Sequence, residues 1–343
     1  MNDKEYDVIT VGSNTIDTFV YTDRVESLSI KTITSESKFI CYPLGSKLRI
    51  NELDFYTGGG GTNTAVCLSR LGFKVGYVGK TGNDLNNNTI LKELKKEKID
   101  FLGVISKEDK TGYSVILDSM EHNRTILTYR GANDTLKTKE LDFSKFKTKW
   151  FHFSAMAEDS FKTLERIAVY AKKNKINICF NPNNYLCEKG KDFLKIILAH
   201  SDILVLNSEE ASLLTDGDSI KDRLLMLKSL GPKKIVVTNG VSPIYCIDEN
   251  SKFYTVYPID IPIVEVTGAG DSFSSSFLAG IIKTGDFNFA IKLAIENSHS
   301  VLRHKGAKNV LLAYDEAKVR ISKNKVKIKE GIEMDQAVSS YNE

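Results

Sequence analysis

Apolar and polar positions along this chain switch between the period of a strand and the period of a helix. Tyr6 to Val11 is a short apolar run that reads as a strand ending at Gly12-Ser13. A polar, less regular stretch runs from Tyr21 to about Ile50, and Leu53 to Thr57 then leads into four consecutive glycines, Gly58 to Gly61. Ala65, Val66, Leu68 and Leu71 recur at helical spacing from a start near Thr62 or Asn63, and Gly72 closes that helix. Lys74 to Val78 predicts a strand and Thr89 to Lys98 a helix. Residues 111–118 and 124–130, joined by the polar Glu121-His122-Asn123, predict a hairpin.

From Trp150 the pattern becomes repetitive. Strand-like runs fall at 150–154, 176–180, 203–206, 235–238 and 244–247, with helical patterns at 160–173, 190–199 and 219–230. Such alternation implies parallel βαβ units with helices on both faces of a sheet. Ile259 to Val266, with Pro262 inside it, reads as an edge-like strand. After Asp271, the residues Phe273, Phe277, Leu278, Ile281 and Ile282 mark one face of a helix. Beyond about Ser322, Lys and Glu dominate and no core-forming pattern remains, which predicts a solvated end.

Composition narrows the classes. With 343 residues, 41% hydrophobic and 27% charged, the chain suits one large α/β domain with an appendage, or two domains. A net charge of +3 gives no reason to expect a nucleic-acid partner. The five cysteines form no C-x-x-C pair, so neither a zinc site nor a disulfide framework is indicated. The five histidines are scattered and no H-E-x-x-H occurs. No apolar run reaches the roughly 18 residues of a membrane span. The opening Met-Asn-Asp-Lys-Glu-Tyr is polar and mixed in charge, unlike a signal peptide, so a cytoplasmic location is expected.

The candidate chemistry lies in Thr267-Gly268-Ala269-Gly270-Asp271, between the apolar run and the helix. A small-residue turn opening a helix presents backbone N–H groups to an anion, and an acid there can take a proton from a nucleophile. Taken alone, the same residues equally describe a close turn with Asp271 as a helix cap. The glycine run ahead of Asn63 adds a second place for backbone to approach a ligand, with an amide that offers donors and acceptors to hydroxyls. Two alternatives fail on spacing. Gly79-Lys80-Thr81 is not a P-loop, because the first glycine of that motif would fall at Lys74. Read from Gly59, the third glycine of a dinucleotide fingerprint would fall at Thr64.

Together these residues resemble the ribokinase-like (pfkB-type) carbohydrate kinases. Gly59, Asn63, Ala65, Gly72 and Gly82 match the first signature of that family, and Thr267 to Asp271 match the second, in the family's order and about 200 residues apart. The resemblance spans roughly residues 6–315. It implies a three-layer α/β/α fold with a mostly parallel central sheet and a small β lid. The kinase domain would cover residues 1–320, with lid insertions at about 15–57 and 103–131, followed by a charged tail at 321–343. It implies Asp271 as base beside an anion hole of Gly268, Ala269 and Gly270. Asp17, Gly59, Gly60, Asn63, Asn133 (of Gly131-Ala132-Asn133) and Arg130 would bind the acceptor. Asn207, Thr238, Gly240, Gly270 and Asn297 would bind the nucleotide, and Gly306-Ala307 fall in the segment expected to cover the adenine. Glu210 would act on Mg²⁺ through water. Thr81-Gly82-Asn83-Asp84 resembles the family's T-G-x-D turn.

The chain also departs from the pattern. Glu265 stands where Asp is usual, Val266 where Thr is common, and Ser276 where a small Ala or Gly is usual. Asn123 stands where ribokinases tend to have Glu. A monovalent-cation requirement therefore stays open, as does the acceptor. The resemblance implies ATP and Mg²⁺ as partners and a homodimer formed through the lid. Three classes of function remain at this point. One is a kinase of a sugar or of a nucleoside such as adenosine or cytidine. Another is a non-catalytic sugar- or nucleotide-binding regulator on the same fold. The last is an interaction protein whose glycine loops are only turns.

Overall fold

The computed structural model describes residues 4–23, 26–32, 36–118 and 124–332. The chain opens with β1 (Tyr6–Val11) and β2 (Thr15–Tyr21), continues through β3 (Glu26–Lys31) and β4 (Glu36–Cys41), and returns in β5 (Glu52–Gly58). Next come α1 (Gly60–Arg70), β6 (Val75–Val78), β7 (Lys80–Gly82) and α2 (Leu85–Lys96). β8 (Asp100–Phe101), β9 (Val104–Ser106), β10 (Gly112–Asp118) and β11 (Arg124–Tyr129) lead to β12 (Thr148–Ser154). Helices and strands then alternate through α3 (Glu158–Lys173), β13 (Asn177–Asn181), α4 (Asn184–Glu188), α5 (Lys191–His200), β14 (Ile203–Asn207), α6 (Ser208–Leu214), α7 (Ile220–Ser229) and β15 (Lys234–Thr238). The last elements are β16 (Ile244–Ile247), β17 (Phe253–Tyr257), α8 (Ala269–Thr284), α9 (Phe287–Leu302), α10 (Tyr314–Lys323) and β18 (Lys327–Glu330).

A ten-stranded sheet in the order β18-β17-β16-β15-β14-β13-β12-β1-β6-β8 forms the middle layer. Its strands are parallel from β15 to β8, and β16, β17 and β18 extend it antiparallel. Successive side chains of each strand point to opposite faces. Val8 and Cys179 therefore enter one core, with α1, α8 and α9, while Ile9, Phe151, Phe153 and Phe180 enter the other, with α3 and α5. Both faces are buried, as the near-continuous apolar strands require. A second sheet, in the order β11-β10-β2-β5, forms the lid, and β3 pairs with β4 in a separate ribbon.

Four sequence expectations change. Residues 259–266 form no strand. Pro262 has no N–H to give a ladder, and the N–H groups of Val264 and Glu265 donate instead to the Leu302 carbonyl at 2.8 and 3.2 Å. The strand lies just before, at β17. The polar stretch from Tyr21 to Ile50 contains the β3–β4 ribbon. The chain beyond Ser322 is not wholly a solvated end, because Val326 is buried and β18 pairs with β17. Helix α2 starts at Leu85 rather than near Thr89, because Asp84 caps it by accepting from the Asn87 N–H at 3.0 Å. Asp84 also accepts from the Thr111 N–H (2.8 Å) and hydroxyl (2.7 Å), tying the T-G-x-D turn to the start of β10. The turn Glu121-His122-Asn123 lies outside the described residues.

Helices α8 and α9 pack closely because Gly280 has no side chain, and a Cβ built there would lie 2.4 Å from the Ala290 Cα. Gly280→Val should force the pair apart and lower stability by about 1–3 kcal/mol or more. Urea unfolding followed by circular dichroism would measure it, and an unchanged midpoint would contradict this account of the packing.

Candidate functional site

The site lies where α1 and α8 begin side by side at one end of the central sheet. Gly268, at φ +80°, caps α8, and Asp271 sits in its first turn. Asn63, in the first turn of α1, donates from Nδ2 to Asp271 Oδ2 at 2.8 Å. This bond joins residues 208 positions apart and brings the two sequence signatures together. The approach depends on glycine. A Cβ on Gly60 would lie 2.8 Å from the Ser154 Cβ and 3.2 Å from Asp271 Oδ1. Gly59 holds φ +94° against the Ser13 and Asn14 backbone, where a side chain would be both strained and obstructed. The run thus meets the close packing of the chain's own backbone and carboxylates.

Asp17 projects from β2 beside this pair. The Thr15 and Ser114 hydroxyls favour the ionised form of its carboxyl. The carboxylate also rests over Gly58, where a built Cβ would fall 1.9 Å from Asp17 Oδ2. Two expected acceptor-binding residues are otherwise engaged. Asn133 is buried and clamps the Asn14 backbone from both sides, accepting from its N–H at 2.9 Å and donating to its carbonyl at 2.8 Å. Arg130 Nε donates to Asp134 Oδ1 at 2.6 Å, so its charge is paired within one helical turn. Sequence reasoning missed Lys308. Its Nζ is 2.8 Å from Glu93 Oε2 and donates to Thr62 Oγ1 at 3.1 Å.

Two adjoining cavities open on the other side of the turn. The one beside Asp271, about 210 Å³, is lined by Asn181, Asn207, Glu210, Thr238, Gly268 and Gly270, among others. Asn207 and Glu210 form a reciprocal cap at the start of α6, each side chain accepting from the other's N–H at 2.8 Å. The second cavity, about 370 Å³, shares Asn207, Thr238 and Gly270 and is otherwise mainly apolar, with Ile259, Ile261 and Ile263 on one wall and Ile295 and His299 on another. A mainly apolar lining that adjoins a polar one suits a ligand with an apolar part joined to a polar part. The alternating isoleucines of 259–266 line this cavity, which is why they look strand-like.

Asn297 is corrected. It is fully buried and faces away from the cavity, donating to Ser276 Oγ at 2.8 Å and accepting from the Leu312 N–H at 2.9 Å. The face of α9 that does line the cavity carries Ile295, Ser298, His299 and Leu302. Gly306-Ala307 are also displaced from the expected adenine region, since Ala307 packs on Gly268 and Gly306 lies near Tyr56 of the lid. Of the proposed anion hole, the Ala269 N–H turns back to the Val266 carbonyl at 3.3 Å. Gly268 and Gly270 face the smaller cavity.

Burial shifts the charges here. It raises the Asp271 carboxyl above its ordinary range, against the opposing pull of the Asn63 hydrogen bond and of Lys308. It raises Asp17 as well, opposed by Thr15, Ser114 and Lys308. Glu210 is pushed from 4.5 to about 7 by desolvation, with the Asn207 N–H working the other way. His299 is lowered to about 4 by burial and by Arg303, so it is neutral at pH 7 and presents no charge to the apolar cavity. Among the described residues no group of three or more His, Cys, Asp or Glu side chains could hold a metal directly. No helix there is long and apolar enough to cross a membrane.

Known proteins share this fold. The family model described as "pfkB family carbohydrate kinase" matches residues 25–313. An ATP-dependent 6-phosphofructokinase of Thermoanaerobacterium thermosaccharolyticum is 26% identical over 317 residues, covering 89% of this chain and 91% of its own. A cytidine kinase of Thermococcus kodakarensis is 26% identical over 254 residues, covering 73% and 88%. Among solved structures, a putative ribokinase II of E. coli in complex with ATP and Mg²⁺ superposes with a TM-score of 0.78 at 18% identity, over 93% of this chain and 99% of that one. The family match covers both signatures, most of the lid and the turn at Asp271, and so the chain belongs to the pfkB family of carbohydrate kinases, with that family's ATP-dependent kinase activity on a small-molecule acceptor.

Proposed function

We propose that the chain moves the γ-phosphate of ATP to a hydroxyl of a sugar or sugar-like acceptor, with Asp271 as the base. The observation that carries this reading is the 2.8 Å contact of Asn63 with Asp271 at the start of α8, between the cavity pair and Asp17. The acceptor oxygen attacks the γ-phosphorus and forms the new P–O bond. The bond from that phosphorus to the β,γ-bridging oxygen breaks, and the hydroxyl proton passes to Asp271. The products are ADP and a phosphomonoester. The N–H groups of Gly268 and Gly270, at the positive end of the α8 dipole, stabilise charge on the phosphoryl group in flight.

Asn207, Thr238, Gly240 and Gly270 border the nucleotide, with His299 and the isoleucine wall against its base. Mg²⁺ fits the smaller cavity as a hydrated ion, because Glu210 and the amides offer hard oxygens there without a closed protein cage. When bound, it neutralises phosphate charge. On the acceptor side, Arg130 is paired with Asp134 and Lys308 with Glu93, while Asp17 and Asp271 are both acids. That balance favours a neutral polyhydroxy group at the reacting end, with Asp17 accepting from its hydroxyls. The lid also supports a homodimer, since Leu28, Ile30 and Phe39 of the ribbon and Ile126, Leu127 and Tyr129 of β11 all expose apolar surface.

Four measurements test these statements. An ATP-consumption assay over ribose, fructose, 2-keto-3-deoxygluconate, adenosine, cytidine and fructose phosphates should find a neutral acceptor. On that acceptor Asp271→Asn should lower kcat by about 10²-fold or more while nucleotide binding persists; near-normal turnover in the variant would remove the base. Glu210 binds a proton in the folded state between its unfolded value of 4.5 and about 7, so the ligand-free protein should lose stability as pH rises through that window and level off above it. Glu210→Gln should flatten this slope in a series of thermal melts; an unaltered slope would show that another group sets it. In light scattering after size exclusion the protein should run as a dimer and Phe39→Lys as a monomer, and a monomeric wild type would count against the lid interface.

A further inference from the structure

Lys308 is 2% exposed and belongs to no signature, yet it lies at the centre of the acceptor side. It follows Gly306, at φ +89°, and Ala307, the residue packed on Gly268 of the phosphate turn. Its ammonium is held by Glu93 Oε2 of α2 at 2.8 Å and by Thr62 Oγ1 of α1 at 3.1 Å. Thr62 is the immediate neighbour of Asn63, whose amide bonds Asp271. Asp17 of β2 and Asp271 of α8 both interact electrostatically with the same ammonium.

Two other cations lie nearby. Arg70 of α1 is held by Glu97 at 2.8 Å and donates to the Lys308 carbonyl, and its guanidinium also interacts electrostatically with Glu93. Lys305 is drawn to the lid rim by Glu52 at 2.9 Å and Asp54 at 3.9 Å. Lys308 is thus one ammonium among three carboxylates, on three elements that meet at the site.

A buried ammonium alone would shed its proton, and buried carboxylates alone would take one up. Here burial works against all three charges, raising both carboxyls and lowering the lysine, and their mutual attraction opposes it. We propose that Lys308 is a positioning residue for phosphoryl transfer: fixed by Glu93 and Thr62, its ammonium keeps Asp17 and Asp271 as carboxylates on either side of the acceptor hydroxyl. This inference rests on the reading of Asp271 as base. It adds that an acid in so dry a place is a competent base at neutral pH only because a lysine from a distant loop is buried with it.

The test reads the carboxylates directly. Protein labelled with ¹³C at the aspartate carboxyls is titrated by NMR, the signals of Asp17 and Asp271 being assigned by their loss in Asp17→Asn and Asp271→Asn. In the wild type both should be ionised at pH 7; a protonated Asp271 at that pH would overturn the proposal without any Lys308 variant. In Lys308→Gln both midpoints should move to higher pH, while Lys308→Arg should leave them near the wild-type positions. Unmoved midpoints in a folded Lys308→Gln protein would reduce the lysine to a packing role. With the acceptor identified by the panel assay, the acid limb of kcat/KM should move the same way, turnover at pH 6 falling about tenfold or more in Lys308→Gln. Should Asp271→Asn retain turnover, the base reading fails, while the titration still decides whether Lys308 governs the two carboxylates.

Discussion

The hydrogen bond from Asn63 to Asp271 is the contact around which this site is assembled. It requires the first turns of two helices to lie almost against each other, at the end of a sheet whose strands have already aligned them. A carboxylate brought so far from water is an expensive group, and the surroundings reflect it. Glycine clears the space, an amide supplies one bond and a buried lysine supplies opposite charge. The same constraint explains the placement of Asp17, which reaches the site only because Gly58 has no side chain to displace it.

The sheet provides the frame. Its parallel strands end together at the site, so residues from the ends of β13, β14 and β15, namely Asn181, Asn207 and Thr238, come to line one cavity although they are separated by whole helices in sequence. Open α/β sheets bind ligands at this edge because loops and helix N-termini converge there. The antiparallel strands β16 to β18 extend the frame, and the apolar segment after β17 leaves the sheet to form the wall of the larger cavity.

Much of this was legible in the sequence for identifiable reasons. The βαβ alternation shows because both faces of the sheet are buried, leaving uninterrupted apolar strands. The turn at 267–271 shows because close approach admits few residue types. Other features left no such trace. Residues 259–266 alternate like a strand because every second side chain faces an apolar cavity, and periodicity does not distinguish a neighbouring strand from a binding wall. Asn297 is misread because the helix face toward the cavity is set by packing on α8, which gives that position to Ser298 and His299. Lys308 carries no local signal at all. Its importance comes from Glu93 and Thr62, both more than 200 positions away, and a lone lysine after Gly-Ala looks like any surface residue.

The clamp of Asn133 on the Asn14 backbone has a broader meaning. It fastens the root of the lid, where β2 and β10 begin, to the end of β1, and the Asp84–Thr111 bonds fasten the same root to α2. Those bonds tie the inner half of the lid to the sheet that carries the Gly268–Asp271 turn, so bending of the lid is expected in its outer half. The molecule separates a fixed base plate from a free rim. A substitution at the rim can then be absorbed locally, without disturbing the packing around Asn63 and Asp271.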